Sequence, residues 1–493
     1  MATWPALRSA DDSFMAQGLP VRDEVSPGDH LQSVWQLWLP GHLIERGDAP
    51  WLDPYSFQPE VDPRPNFAGW PFGLAFWPLD ALFGPVVGWN AFVLLCFVGS
   101  GGLGFLWLRA VGLGEAGALT GGLAFALAPY LVTQGAMGHL LTPVSMLLPL
   151  SLYALERSRN GSEAWVVLAG AALCSIPLSG QVHLALGAVP FFVLYALLRR
   201  PLRLAAVAGC TLAAVFAALA VYVAAIRGTV GAGGRSFAQV ERYSAELLDF
   251  LARDPRNGLE SAVFLGWLLP LVAIVGLVAL LLQGRYGLAG ALAAGVAVPS
   301  ILALGATLPG YRELWEHVPG LGETRVPGRL MPIACLSLAG LAGAAADRLR
   351  RPLLVAGLLV LLAFDLRLGV TRYRPSAADP DNRAYAALRE AGDEGRLLEL
   401  PVHLPDRQEG SIYLHYAMQA PRERPAGYST TAPKHADEVV RALREDPCSA
   451  RALGVRYLAV FEPAKRPCSG TLTGEDGAVA VFRLREISEP RDR

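Results

Sequence analysis

Three groups of side chains in this 493-residue sequence have the types needed for proton transfer and anion binding. The first is Asp29, in Gly28-Asp29-His30 at the head of a run with helical spacing. A carboxylate there can take a proton from a hydroxyl within hydrogen-bond reach. It can also serve as an N-cap, a common use of Asp, or do both. The second group lies in the loop 311–330, YRELWEHVPGLGETRVPGRL, where Glu323, Arg325 and Arg329 crowd together. A guanidinium stays charged and donates in pairs, which suits phosphate. The competing use is an ion pair with Glu323 or with a lipid headgroup. The third group is His139, after Gly138, and His183. The plainer readings are a polar tip at a span end for His139 and a neutral ring on a backbone carbonyl for His183. There is no CxxC zinc spacing, HExxH helix or Gly-Lys-Ser/Thr phosphate loop.

The elements that must carry these groups are read from charge distribution. Charged residues make up only 17% of the chain, against about a quarter in soluble domains. They are dense before Arg64 and after Arg367, and sparse between. That blockwise pattern predicts a helical polytopic membrane protein. A span needs about 20 mostly apolar residues. Candidates fall at 89–108, 116–133, 140–155, 164–178, 182–198, 204–226, 261–282, 288–308, 330–346 and 353–364, about ten spans by that length rule. The net charge of -1 provides no field for nucleic acid.

Basic residues follow every odd-numbered span: Arg109, then Arg157 and Arg159, then Arg199, Arg200 and Arg203, then Arg285, then Arg348, Arg350 and Arg351. The opposite short connections, 134–139 and 179–181, carry no Lys or Arg. The positive-inside rule puts the basic turns in the cytoplasm. It puts Asp29, the loops 227–260 and 310–329, and both termini on the outer face of a cell membrane. Residues 1–70 are then exported with no hydrophobic segment before them, which predicts one further span upstream. The segment 27–45 places Leu31, Val34, Trp35 and Trp38 on one face, as in a helix lying on a bilayer. The run 70–85, interrupted by Pro71, Pro78 and Pro85, reads as a membrane-dipping stretch.

Beyond about residue 369 the pattern is that of a small α/β domain. Strands are expected at 396–401, 455–461 and 478–484, and helices at 383–391 and 436–445. Cys448 and Cys468 flank the middle strand, and outside the cytoplasm such a pair plausibly forms a disulfide. The expected organisation is an outer loop region 1–87, a helical bundle 88–368 and an outer domain 369–493.

Gly28-Asp29-His30 with Trp35, Trp38 and His42, then Trp70-Pro71-Phe72-Gly73 with Pro78-Leu79, Gly138-His139, Tyr243-Ser244-Ala245 and Thr324-Arg325-Val326-Pro327-Gly328-Arg329 follow one another in a recognisable order. With Leu398–Pro401 and Gly427-Tyr428-Ser429, they resemble a bacterial branch of the GT-C glycosyltransferase superfamily. The resemblance implies transfer of a sugar from a polyprenyl-phosphate donor on the outer membrane face, in envelope glycan or glycolipid assembly. It implies a carboxylate in the first outer loop acting near the acceptor, with a divalent metal in some members. By match that carboxylate is Asp29, with Asp11, Asp12 and Asp23 nearby. His30, His139, Glu323, Arg325 and Arg329 are then expected to contact substrate. A flippase for lipid-linked sugars and a non-catalytic envelope scaffold are the alternatives. The first would favour inverted repeats and broken midplane helices, and no clear repeat is present.

Overall fold

In a bilayer the backbone must satisfy its own hydrogen bonds, so apolar runs become helices. The computed structural model describes residues 10–16, 25–159, 161–199, 204–229, 236–256, 258–367, 373–392, 395–462 and 468–485. Asp23, Arg200 and Arg203 lie outside the described residues. Among the described residues, five helical stretches are long and apolar enough to cross a membrane: Phe72–Val111, Glu115–Ala136, Leu204–Ile226, Tyr286–Ala303 and Pro327–Ala346. Four shorter apolar helices join them: Glu163–Leu178, Val182–Leu198, Leu268–Leu282 and Pro352–Asp365. The remaining expected span, 140–155, is divided into Leu141–Ser145 and Leu147–Arg157. The expected tenfold count therefore resolves into five full-length helices and a set of shorter ones.

Small residues let these helices meet closely. Gly276 lies against the Leu341 carbonyl, and Gly121 against that of Ala339, so a side chain at either would collide with backbone. The most enclosed helix is Pro327–Ala346, the least Leu204–Ile226, whose Leu212, Phe216 and Leu219 face outward.

The turns expected to be basic gather at one end of the bundle. Arg285 donates to the Val111 carbonyl at 2.7 Å, Arg159 to the Arg199 carbonyl at 2.6 Å, and Gly114 N to Asp347 Oδ1 at 2.6 Å. The helix Asp29–Arg46, the turn at His139, the loop before Pro327 and the C-terminal unit meet at the other end.

Two expectations change here. The helix Asp29–Arg46 does not lie on a surface with one face free. It packs between Phe72–Val111 and the helix Ser411–Gln419, with Trp35 stacked on Trp38 and both buried. Its polar positions Asp29, Gln32 and Gln36 face a cavity and the C-terminal unit where the amphipathic reading supposes open water. The run 70–85 opens the Phe72–Val111 helix, which bends at Gly84, where φ is 74°.

The strands are β1 (Ser13–Ala16), β2 (Leu52–Asp53), β3 (Arg64–Pro65), β4 (Arg374–Ala377), β5 (Arg396–Leu400), β6 (Val455–Val460), β7 (Gly470–Asp476) and β8 (Val479–Leu484). The C-terminal sheet runs β5-β6-β8-β7, with β5 and β6 parallel and the other pairs antiparallel. Helices occupy Arg383–Glu390 and Lys434–Glu445, and Cys448 is bonded to Cys468 with Cα atoms 5.7 Å apart. The N-terminal segment is woven into this unit. β1 pairs antiparallel with β4, Phe57 sits in the core around Leu398 and Leu458, and Gln58 N donates to the Arg424 carbonyl at 2.8 Å. Arg424, itself 1% exposed, pairs with Glu399 at 3.0 Å and lies over the Trp35 ring.

Candidate active site

Asp29 is the first helical residue of Asp29–Arg46, with Gly28 as the N-cap and no side-chain cap bond. Its carboxylate is therefore not engaged as a cap. Oδ2 accepts from His139 Nε2 at 2.8 Å, while Oδ1 accepts from Gln408 Nε2 and from the Tyr428 hydroxyl, each at 3.0 Å. Burial alone would raise the pKa of Asp29. The hydrogen bond and charge of His139, with the bonds from Gln408 and Tyr428, outweigh burial and hold it well below the usual carboxylate range. Burial and the adjacent Asp29 charge push the Tyr428 phenol up, so it remains a donor.

His139 is placed by its turn. Gly138 has φ 83° and lies against the His30 backbone, so a side chain there would be both strained and blocked. The Gly138 carbonyl accepts from Ser33 Oγ at 2.6 Å, which joins the turn to the helix of Asp29. The His139 side chain is 9% exposed, with Nδ1 at 2.8 Å from Gln134 Oε1. It is a buried bridge, not the exposed polar tip of the plainer reading.

Arg329 does not pair with Glu323. Its guanidinium donates to both oxygens of Glu260 at 3.1 Å, and Glu260 also lies 3.7 Å from His139 Nε2. Burial would raise the Glu260 pKa, but Arg329, His139 and Arg325 bring it below the ordinary value. Arg325 meets no carboxylate among the described residues. It lies over the Tyr243 ring, 5.8 Å from the centroid, and faces the cavity. The phosphate-binding capacity expected of two arginines thus rests on one free guanidinium, with Arg329 largely neutralised.

Asp29, His139, Arg325, Arg329 and Tyr428 line a polar cavity of about 260 Å³. It shares Gln32, Gln36, His183 and the residues 428–431 with a larger cavity of about 730 Å³. The floor of the larger one is apolar, formed by Leu186, Val189 and Pro190 of one helix and Val215, Ala218 and Leu219 of another. Glu323 borders this larger space, and its carbonyl lies 3.3 Å from His183 Nε2.

His30 is placed outside both cavities. It is 1% exposed, within 3.2 Å of Ser376 Oγ and edge-on to Phe14, and burial pushes its pKa down to about 3. It packs β4 and β1 against the helix and, unlike the other residues expected to contact substrate, lines neither cavity. Asp11 and Asp12 are exposed, and the Asp12 side chain accepts from Ser13 Oγ. Sequence reasoning missed Glu260, Gln408 and Gln134. Glu260 ends a long polar loop beside an apolar run, a faint signal. Gln408 had none.

Against solved structures, the chain is similar to the arabinofuranosyltransferase AftD from mycobacteria. The TM-score is 0.54 at 18% identity over 92% of this chain, and 0.55 at 17% over 98% for a variant of that protein. The chain has the GT-C glycosyltransferase fold. It spans 39% and 41% of the length of those two structures. No family model and no curated protein matches the sequence.

A divalent cation, which the resemblance allows, would have to share oxygens that already accept hydrogen bonds. Both oxygens of Asp29 already accept from N–H or O–H groups, and both oxygens of Glu260 accept from Arg329. Among the described residues no three His, Cys, Asp or Glu side chains converge to hold a metal.

Proposed function

We propose that this chain is a membrane glycosyltransferase. It moves a sugar from a polyprenyl-phosphate donor to an acceptor hydroxyl on the outer face of a bacterial cell membrane. The observation that carries this reading is the joining of two cavities of opposite character. One is polar, with a carboxylate and a free guanidinium, and the other is an apolar groove beside the least enclosed helix. A lipid-linked phosphate sugar needs both at once: the groove for the prenyl chain and Arg325 for the phosphate.

In the transfer, the acceptor oxygen forms a bond to the anomeric carbon as the bond from that carbon to the phosphate oxygen breaks. The electron pair leaves with the lipid phosphate, whose added negative charge Arg325 faces; cationic stabilisation of this kind is usually the largest contribution. The hydroxyl proton passes to Asp29. A carboxylate held this acidic is a weak base, but the hydroxyl itself turns strongly acidic once its oxygen is bonded to carbon. Late deprotonation by Asp29 is therefore feasible.

The test is Asp29→Asn in the chromosomal copy, with membrane levels of the protein monitored. The expected result is loss of one envelope glycan linkage and accumulation of the unspent lipid-phosphate sugar. An unchanged glycan profile at normal protein level overturns the reading and favours the scaffold. A loss of outward-facing lipid-linked sugar in place of its accumulation favours the flippase.

A further inference from the structure

The Asp29 carboxylate is held by residues from distant parts of the chain. Gln408 and Tyr428, which both donate to Oδ1, lie 379 and 399 residues further along. A carboxylate oxygen has two lone-pair sites. Oδ1 is therefore filled, while among the described residues Oδ2 accepts only from His139 and keeps one site open. We propose that Gln408 and Tyr428 are positioning residues that fix the plane of the Asp29 carboxylate and direct the acceptor proton to Oδ2. The C-terminal unit thereby completes the catalytic centre. This rests on Asp29 being the base in the reaction proposed above.

The two donors belong to one braced piece of structure. Ser429 N donates to the Pro405 carbonyl at 2.8 Å, joining the Tyr428 loop to the segment that carries Gln408. Gly28 N donates to Ser411 Oγ at 3.0 Å, and Gln32 Nε2 to the Tyr428 carbonyl at 3.3 Å, so the same piece grips the helix bearing Asp29 on either side of it. Tyr428 also lines both cavities, which brings its hydroxyl to the place where lipid phosphate and acceptor would meet. Gln408 is exposed, and its amide is directed at Asp29. No packing role accounts for that placement.

The experiment uses the full chain in lipid nanodiscs with ¹³C-labelled aspartate, and the infrared difference against Asp29→Asn isolates the Asp29 carboxylate band. Gln408→Leu and Tyr428→Phe should each move that band and raise the pH at which it protonates by about one unit, since each removes one donor to the charged form. The same variants should reduce glycan transfer in cells while the protein still binds undecaprenyl phosphate as a probe. Gln408→Leu changes an exposed side chain and keeps the test open if Tyr428→Phe fails to fold. An unmoved band and titration in the folded variants overturn the positioning role. Transfer retained by Asp29→Asn overturns the base itself, and the two failures are therefore distinguishable.

Discussion

The two ends of the helical bundle each hold a carboxylate with three donors, and they differ in what is left open. At the end of the basic turns, Glu156 meets Arg159 and Arg199 at 2.8 Å and the Tyr195 hydroxyl at 2.6 Å, with its side chain only 2% exposed. At the other end Asp29 also has three donors, yet its side chain is 30% exposed and borders a cavity lined by Arg325, which meets no carboxylate among the described residues. The same chemistry closes one end of the bundle and equips the other for a ligand. Matched charge with no space serves packing; matched charge beside space and a spare cation serves binding.

The largest effect that sharpens this comparison is on transfer. Asp29→Asn should lower it by about 10²–10⁴, the range ascribed to general base catalysis. The unfolding midpoint should also fall, because a carboxylate held below its usual pKa contributes stability that the neutral amide lacks, so transfer is read per folded molecule. A comparable loss of transfer per folded molecule in Glu156→Gln would break the comparison. Arg325→Ala comes next, with a loss of about 10²–10³ in transfer and weaker binding of undecaprenyl phosphate in nanodiscs. No carboxylate is left unpaired by that change, so folding should be intact.

Arg329→Ala should behave differently from its neighbour. It strips both oxygens of Glu260 of their bidentate partner; breaking a fully buried pair costs about 3–5 kcal/mol, and this half-buried one should cost less. The measurement is the unfolding midpoint in detergent, which should fall for Arg329→Ala and stay for Arg325→Ala.

The smallest effect is in the pH dependence of stability, and it belongs to the interlock beside the site. His30 and His415 are buried, and burial depresses their pKa values from 6.5 to about 3 and about 4. Above pH 6.5 both the folded and unfolded forms are neutral and stability is full. Below it the unfolded chain gains protons that the folded chain refuses, so stability falls by about 1.4 kcal/mol per pH unit for each ring. The loss should run from near pH 6.5 towards pH 4, and His30→Asn should halve its slope if the Ser376 contact is kept, leaving the part due to His415.

Much of the architecture was legible. Apolar runs become helices with little ambiguity because backbone in lipid has no other partner, and each expected run is helical here even where it is short. Strands β5, β6 and β8 and the Cys448–Cys468 pairing also follow local pattern, whereas the polar strand β7 does not announce itself. Periodicity identifies Asp29–Arg46 as a helix but suggests a surface position that its packing does not share, because an apolar stripe does not report what covers the opposite face. The interlock of β1 with β4 crosses the whole chain and leaves no local trace. His30 shows the same limit: its neighbour Asp29 enters the cavity, while His30 turns to Phe14 and Ser376, since adjacent helical positions point about 100° apart.

The sequence by itself determined that this chain forms membrane-type helices, that its basic turns share one end, and that a carboxylate and an arginine-bearing loop share the other. These follow from composition and period, which act locally. The tertiary structure alone decided that Glu260 neutralises Arg329, that Arg325 stays free, and that Gln408 and Tyr428 close on Asp29. Each of those is a contact between residues far apart in the chain, set by how the C-terminal unit packs on the bundle.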